Sequence, residues 1–129
     1  QETCGDLVAF IRSLPFVYET EHYMFVHAGL DLTLPDWHET TDYQKVWIRQ
    51  PFHEAANQTG KTIVFGHTPV HYLLDQKIGT KELWVTKDGK IGMDGGAVYG
   101  GVLHGILFDE SGMKADVALV NDGFAAIDD

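Results

Sequence analysis

One cysteine, four prolines and few basic side chains set the first limits: nine Lys and Arg stand against nineteen Asp and Glu in 129 residues. The lone Cys4 rules out an internal disulfide framework and suits a reducing compartment, so a cytoplasmic location is expected. No apolar run approaches the ~18 residues of a membrane helix, and the start is neither Arg-rich nor signal-like. No membrane partner is expected. The net charge of −10 removes the basic field that nucleic-acid polymers and anionic membranes require of a binder. It also repels a phosphorylated ligand unless a cation intervenes at the site. Linkers, repeats and low-complexity tracts are missing, and the Asn57-Gln58-Thr59 sequon reads as accidental.

What is present suits one domain over 1–129, with 44% apolar residues. Leu7, Phe10, Ile11 and Leu14 have the spacing of one buried helical stripe, closed by Pro15. Phe16 to Tyr18 predicts a short strand and Tyr23 to Val26 a strand buried on both faces. Residues 30 to 41 read as loop. Tyr43, Val46 and Trp47 predict a helix with one apolar face, and Phe52, Ala55 and Ala56 a second, short helix ending near Gly60. Thr62 to Phe65 is another expected buried strand. Leu83 to Thr86, Ile91 to Asp94, Val102 to Phe108 and Met113 to Val120 are strand-like, joined by Asp88-Gly89 and Asp109-Glu110-Ser111-Gly112 turn signals. The fold class is α/β (α+β mixed), with a mixed sheet and a terminal antiparallel meander.

Three familiar motifs are near misses. Gly60-Lys61-Thr62 lacks the leading glycine of a phosphate loop and precedes a strand, where such a loop opens a helix. His53-Glu54-Ala55-Ala56-Asn57 has Asn57 where a zincin helix needs its second histidine. Asp94-Gly95-Gly96 lacks the strand–helix context of a dinucleotide site.

Two histidines carry more. Phe25-Val26-His27-Ala28-Gly29 and Val64-Phe65-Gly66-His67-Thr68-Pro69 each run an apolar strand into an imidazole on a small-residue turn. Open α/β sheets gather ligands outside the carboxyl ends of their strands, and neutral imidazole is the commonest metal ligand. His27 and His67 are therefore candidate ligands of one ion; packed histidines bonded to backbone carbonyls would show the same spacing. Between them, Arg49 borders a buried face near Pro51, where it suits either a two-pronged phosphate clamp or a surface ion pair.

Taken with Trp47-Ile48-Arg49 and Met93-Asp94-Gly95-Gly96-Ala97-Val98-Tyr99-Gly100-Gly101, these blocks resemble the C-terminal half of the calcineurin-like metallophosphoesterase superfamily. The likeness is nearest to bacterial serine/threonine protein phosphatases and symmetrical diadenosine-tetraphosphatase-type enzymes, and runs from about Leu7 to Phe108. It implies half of an αββα sandwich and a phosphoester hydrolase acting through a two-metal centre and a metal-bound hydroxide. A protein phosphatase is the first expectation; a bis(5'-nucleosyl)-tetraphosphatase-type hydrolase or a non-catalytic domain of the same fold is the alternative. By the resemblance, His27 and His67 bind metal, Arg49 is the catalytic and substrate-binding residue on the phosphoryl oxygens, Gly66 and Thr68 shape the ligand turn, and Asp94 supports the site. Two divalent ions are implied, manganese first, with iron or zinc as alternatives. Expected partners are a phosphorylated protein or a nucleotide. The pattern's usual Thr is Gly95 here; His71 is expected behind the ligands or at the surface, and His22, His38, His53 and His104 read as ordinary. The family's other ligand blocks, Asp-x-His, Gly-Asp-x-x-Asp-Arg-Gly and Gly-Asn-His-Glu, do not occur. The chain is therefore expected to be a partial domain without its N-terminal half, with little or no activity alone and exposed surface that invites self-association.

Overall fold

The computed structural model describes residues 2–120. Over this span the fold is mixed α+β: a five-stranded mixed sheet, a separate two-stranded antiparallel hairpin and three helices. The order is α1 (Glu2–Ser13), β1 (Val17–Glu19), β2 (Tyr23–Val26), α2 (Asp42–Trp47), β3 (Thr62–Phe65), α3 (Val70–Leu73), β4 (Trp84–Val85), β5 (Lys90–Gly92), β6 (Val102–Asp109) and β7 (Gly112–Val120). No helix among the described residues is long and apolar enough to cross a membrane.

The main sheet runs β1-β2-β3-β5-β4. Its middle strands β2, β3 and β5 are parallel, while β1 and β4 close the edges antiparallel. The apolar runs explain this placement, because side chains alternate between faces and both faces are covered. Met24, Val26, Ile63 and Phe65 pack on one side against Leu30, Ile48 and Phe52. Tyr23, Val64 and Ile91 pack on the other against Phe25, Met93 and Phe108. Phe108 reaches across from β6, its ring 4.9 Å from that of Tyr23. The expected strands and both hairpin turns are present, as is the loop at residues 30–41, apart from a 3-10 turn at Trp37–Glu39.

Four expectations fail. The α1 helix forms, but its stripe is not buried: Phe10 is 58% exposed and Leu14 48%. Periodicity supplies a stripe, whereas burial needs a facing surface. The α2 helix is fixed by a Thr41–Gln44 capping box, yet Tyr43 and Trp47 also stay exposed. The second short helix at Phe52, Ala55 and Ala56 is a turn. Its carbonyls do not wait for amides one turn on; those of Phe52, His53 and Ala55 accept from the buried ammonium of Lys90. Finally, the single terminal meander divides. β5 takes β3 as its parallel partner, and β6 pairs with β7 in a sheet of its own.

Candidate metal and phosphate site

Parallel pairing of β2, β3 and β5 turns three carboxyl ends toward one rim. His27 follows β2 directly, His67 lies two residues beyond β3, and Asp94 two beyond β5. The His27 and His67 rings stand 5.1 Å apart, centre to centre. Backbone bonds lock the two turns together: Gly66 N donates to His27 O at 2.8 Å, and Thr68 N to Gly66 O at 2.7 Å. His67 itself adopts φ 70°, a left-handed conformation rare outside glycine and often found where a side chain is held for function. Gly29 is required next to His27 because the Phe52 ring occupies the space a Cβ would fill.

Arg49 follows the end of α2, beyond the Ile48 cap, and so lies outside the helix. Ala28 N donates to Lys45 O at 2.9 Å, joining the His27 turn to that helix. The Arg49 Nε donates to Thr68 Oγ1 at 3.2 Å, and no carboxylate among the described residues lies within ion-pair distance of it. Among the described residues Arg49 makes no surface ion pair. Arg49 lines a cavity of about 680 Å³ together with His27, His67, Thr68, His71 and Asp94. Burial, then the nearby Arg49 and His27 charges, hold the His67 pKa below the usual imidazole value. His67 is accordingly neutral at pH 7, the form a metal requires.

Asp94 acts as a joint. Its Oδ1 accepts from Gly96 N at 2.9 Å, and its carbonyl accepts from Val70 N at 2.7 Å. Gly95 cannot be the pattern's Thr here, because a Cβ would overlap the Val102 carbonyl. Among the described residues no three His, Cys, Asp or Glu side chains converge as a metal cage. The donor set is therefore two imidazoles. With ligand distances of ~2.0–2.1 Å, rings this close suit two positions on one ion and leave the others to further ligands.

Sequence reasoning missed three things. The Arg49–Thr68 bond joins residues 19 apart and has no local signature. His71, expected behind the ligands or at the surface, lines the cavity, and what the sequence did not show is that its Nδ1 is buried with no hydrogen-bond partner among the described residues. His53, read as ordinary, is buried against Phe65 and Trp84, and its pKa falls to about 4, chiefly through desolvation and then through Lys90 and Arg49. The rejected phosphate loop is structural: Lys61 Nζ bonds Thr20 O at 2.7 Å and Glu19 at 3.1 Å. The Asn57 amide of the sequon donates to the carbonyls of Lys61, Asp88 and Gly89. Comparison of the chain with protein-family models, with curated proteins and with solved structures finds no match.

Proposed function

We propose that the chain is part of a metal-dependent phosphoester hydrolase of the calcineurin-like type, serine/threonine protein phosphatase-like. In this reading His27 and His67 are two ligands of one ion in a two-metal centre, and Arg49 clamps the phosphoryl group. The observation that carries it is the 5.1 Å approach of the two rings at adjacent strand tips, beside an arginine with no carboxylate partner among the described residues. The five-stranded sheet is read as half of an αββα sandwich, and the exposed side chains of α1 and the hairpin are surface that the other half would cover.

Bound divalent ions, manganese in the first instance, would supply Lewis-acid activation of water and neutralise developing charge. The chain's own residues orient the substrate. Thr68 Oγ1 holds Nε of Arg49, which leaves the amino fork to donate two parallel bonds to phosphoryl oxygens. Neutral His67 offers a lone pair with no proton to displace. Asp94, with one oxygen committed to Gly96 N, keeps the rim rigid and does not serve as a third ligand.

Manganese uptake by calorimetry tests the reading. Wild-type chain is expected to bind the ion weakly, and His27→Ala with His67→Ala to abolish binding. Unchanged uptake in the double variant would leave two packed histidines and no metal site. Because two imidazoles fall short of a closed ligand set, manganese-supported hydrolysis of p-nitrophenyl phosphate by these 129 residues is expected to be little or none.

A further inference from the structure

Part of the cavity lining is apolar and aromatic. Tyr72 and Ile78 come from α3 and the loop after it, Val98 and Tyr99 from the 3-10 turn Ala97–Tyr99. All four are exposed large side chains, Tyr72 at 71% and Tyr99 at 73%, and the same cavity is lined by His27, His67 and Arg49. A tyrosine ring is a large apolar body with one polar tip, suited to contact with a flat aromatic partner.

Both aromatic walls are fixed to the rim that carries the histidines. Val70 N, at the start of α3, bonds the Asp94 carbonyl, and Gly96 N, at the start of the 3-10 turn, bonds the Asp94 carboxylate. Tyr72 N then bonds Pro69 O at 3.1 Å, and Tyr99 N bonds Gly96 O at 2.9 Å. The Tyr72 ring is braced by His71, 4.1 Å away. A ligand held by Arg49 therefore meets tyrosines whose backbone positions are set in advance, which lowers the ordering cost of contact.

We infer that this cavity selects phosphate esters carrying a planar aromatic group, with the phosphate at Arg49 and the ring against Tyr72 and Tyr99. The inference rests on the phosphate reading of the site and adds its specificity. Flat π faces favour stacked or edge-on aromatic partners over saturated groups of equal bulk. The cavity volume of about 680 Å³ accommodates such a molecule, where a bare phosphate would leave the aromatic wall unused.

Calorimetric titration of the full chain, with manganese supplied, decides it with four probes: phenyl phosphate, cyclohexyl phosphate, methyl phosphate and phenol. Phenyl phosphate is expected to bind about tenfold more tightly than either methyl or cyclohexyl phosphate. Tyr72→Ala with Tyr99→Ala should erase that preference and leave methyl phosphate affinity unchanged, while Tyr→Phe at both positions should retain it. Both tyrosines are exposed, so the variants keep the core. Equal affinity for phenyl and methyl phosphate in the wild type overturns the aromatic subsite and leaves the phosphate reading standing. Equal affinity for phenyl and cyclohexyl phosphate overturns stacking. Binding of phenol alone, with no gain from its phosphate, overturns the phosphate reading instead, and no binding of any probe overturns both.

Discussion

The parallel centre of the sheet and the two ends of the described chain use the same kinds of residue to opposite effect. In β2 and β3 the apolar side chains alternate into two covered faces, and Met24, Ile63 and Phe65 are essentially removed from water. In α1 and the β6–β7 hairpin, Leu7, Phe10, Ile11, Leu103, Leu107 and Leu119 remain exposed. A stripe is a local property of sequence, while burial is a relation between two surfaces. The centre owns both members of that relation; the ends own one. The candidate site stands on the centre, which is why the positions of His27 and His67 follow from strand register and do not depend on the ends.

The sharpest way to break this comparison is to remove bulk from each region. Phe52→Ala should destabilise the fold by about 3–5 kcal/mol, because the ring is fully buried against Phe65 and the Gly29 backbone. Urea unfolding measures it. A loss near zero would mean that the centre is not the core.

Acid should attack the centre next. The folded His53 pKa of about 4 lies below its unfolded value, so the unfolded chain binds this proton more readily. The stability that neutral burial contributes is whole above about pH 6.5 and is lost as pH falls toward 4, by about 3 kcal/mol at most. Unfolding midpoints across that window should decline in the wild type and flatten in His53→Phe. An equal decline in the variant would assign the acid sensitivity elsewhere.

The ends should respond least in stability and most in association. Phe10→Ala is expected to change unfolding free energy by no more than about 0.5 kcal/mol. Sedimentation of the wild type should show concentration-dependent self-association that Phe10→Lys with Ile11→Lys reduces. A strictly monomeric wild type, or a large stability loss in Phe10→Ala, would erase the distinction between centre and ends.

How much of this was legible follows the same division. The strands at Tyr23–Val26 and Thr62–Phe65 could be read because unbroken apolar runs flanked by turns have one economical solution. The approach of His27 to His67 was readable because each stands where an apolar strand runs into a small-residue turn. The 52–56 turn was not, because its carbonyl partner is a lysine 35 to 38 residues away. That Arg49 stands just outside α2 was not legible either, because nothing local shows that Ile48 caps the helix in an extended conformation. The aromatic wall escaped notice because Tyr72 belongs to α3 and Tyr99 to a distant 3-10 turn, both bonded to Asp94.

Lys90 has a consequence of its own. Its amine is sealed at 1% exposure beneath the turn whose carbonyls it holds, so an acylating reagent reaches it only when that turn lifts. The residue is a gauge built into the molecule: the speed at which it becomes labelled counts openings of the segment that joins Arg49 to β3.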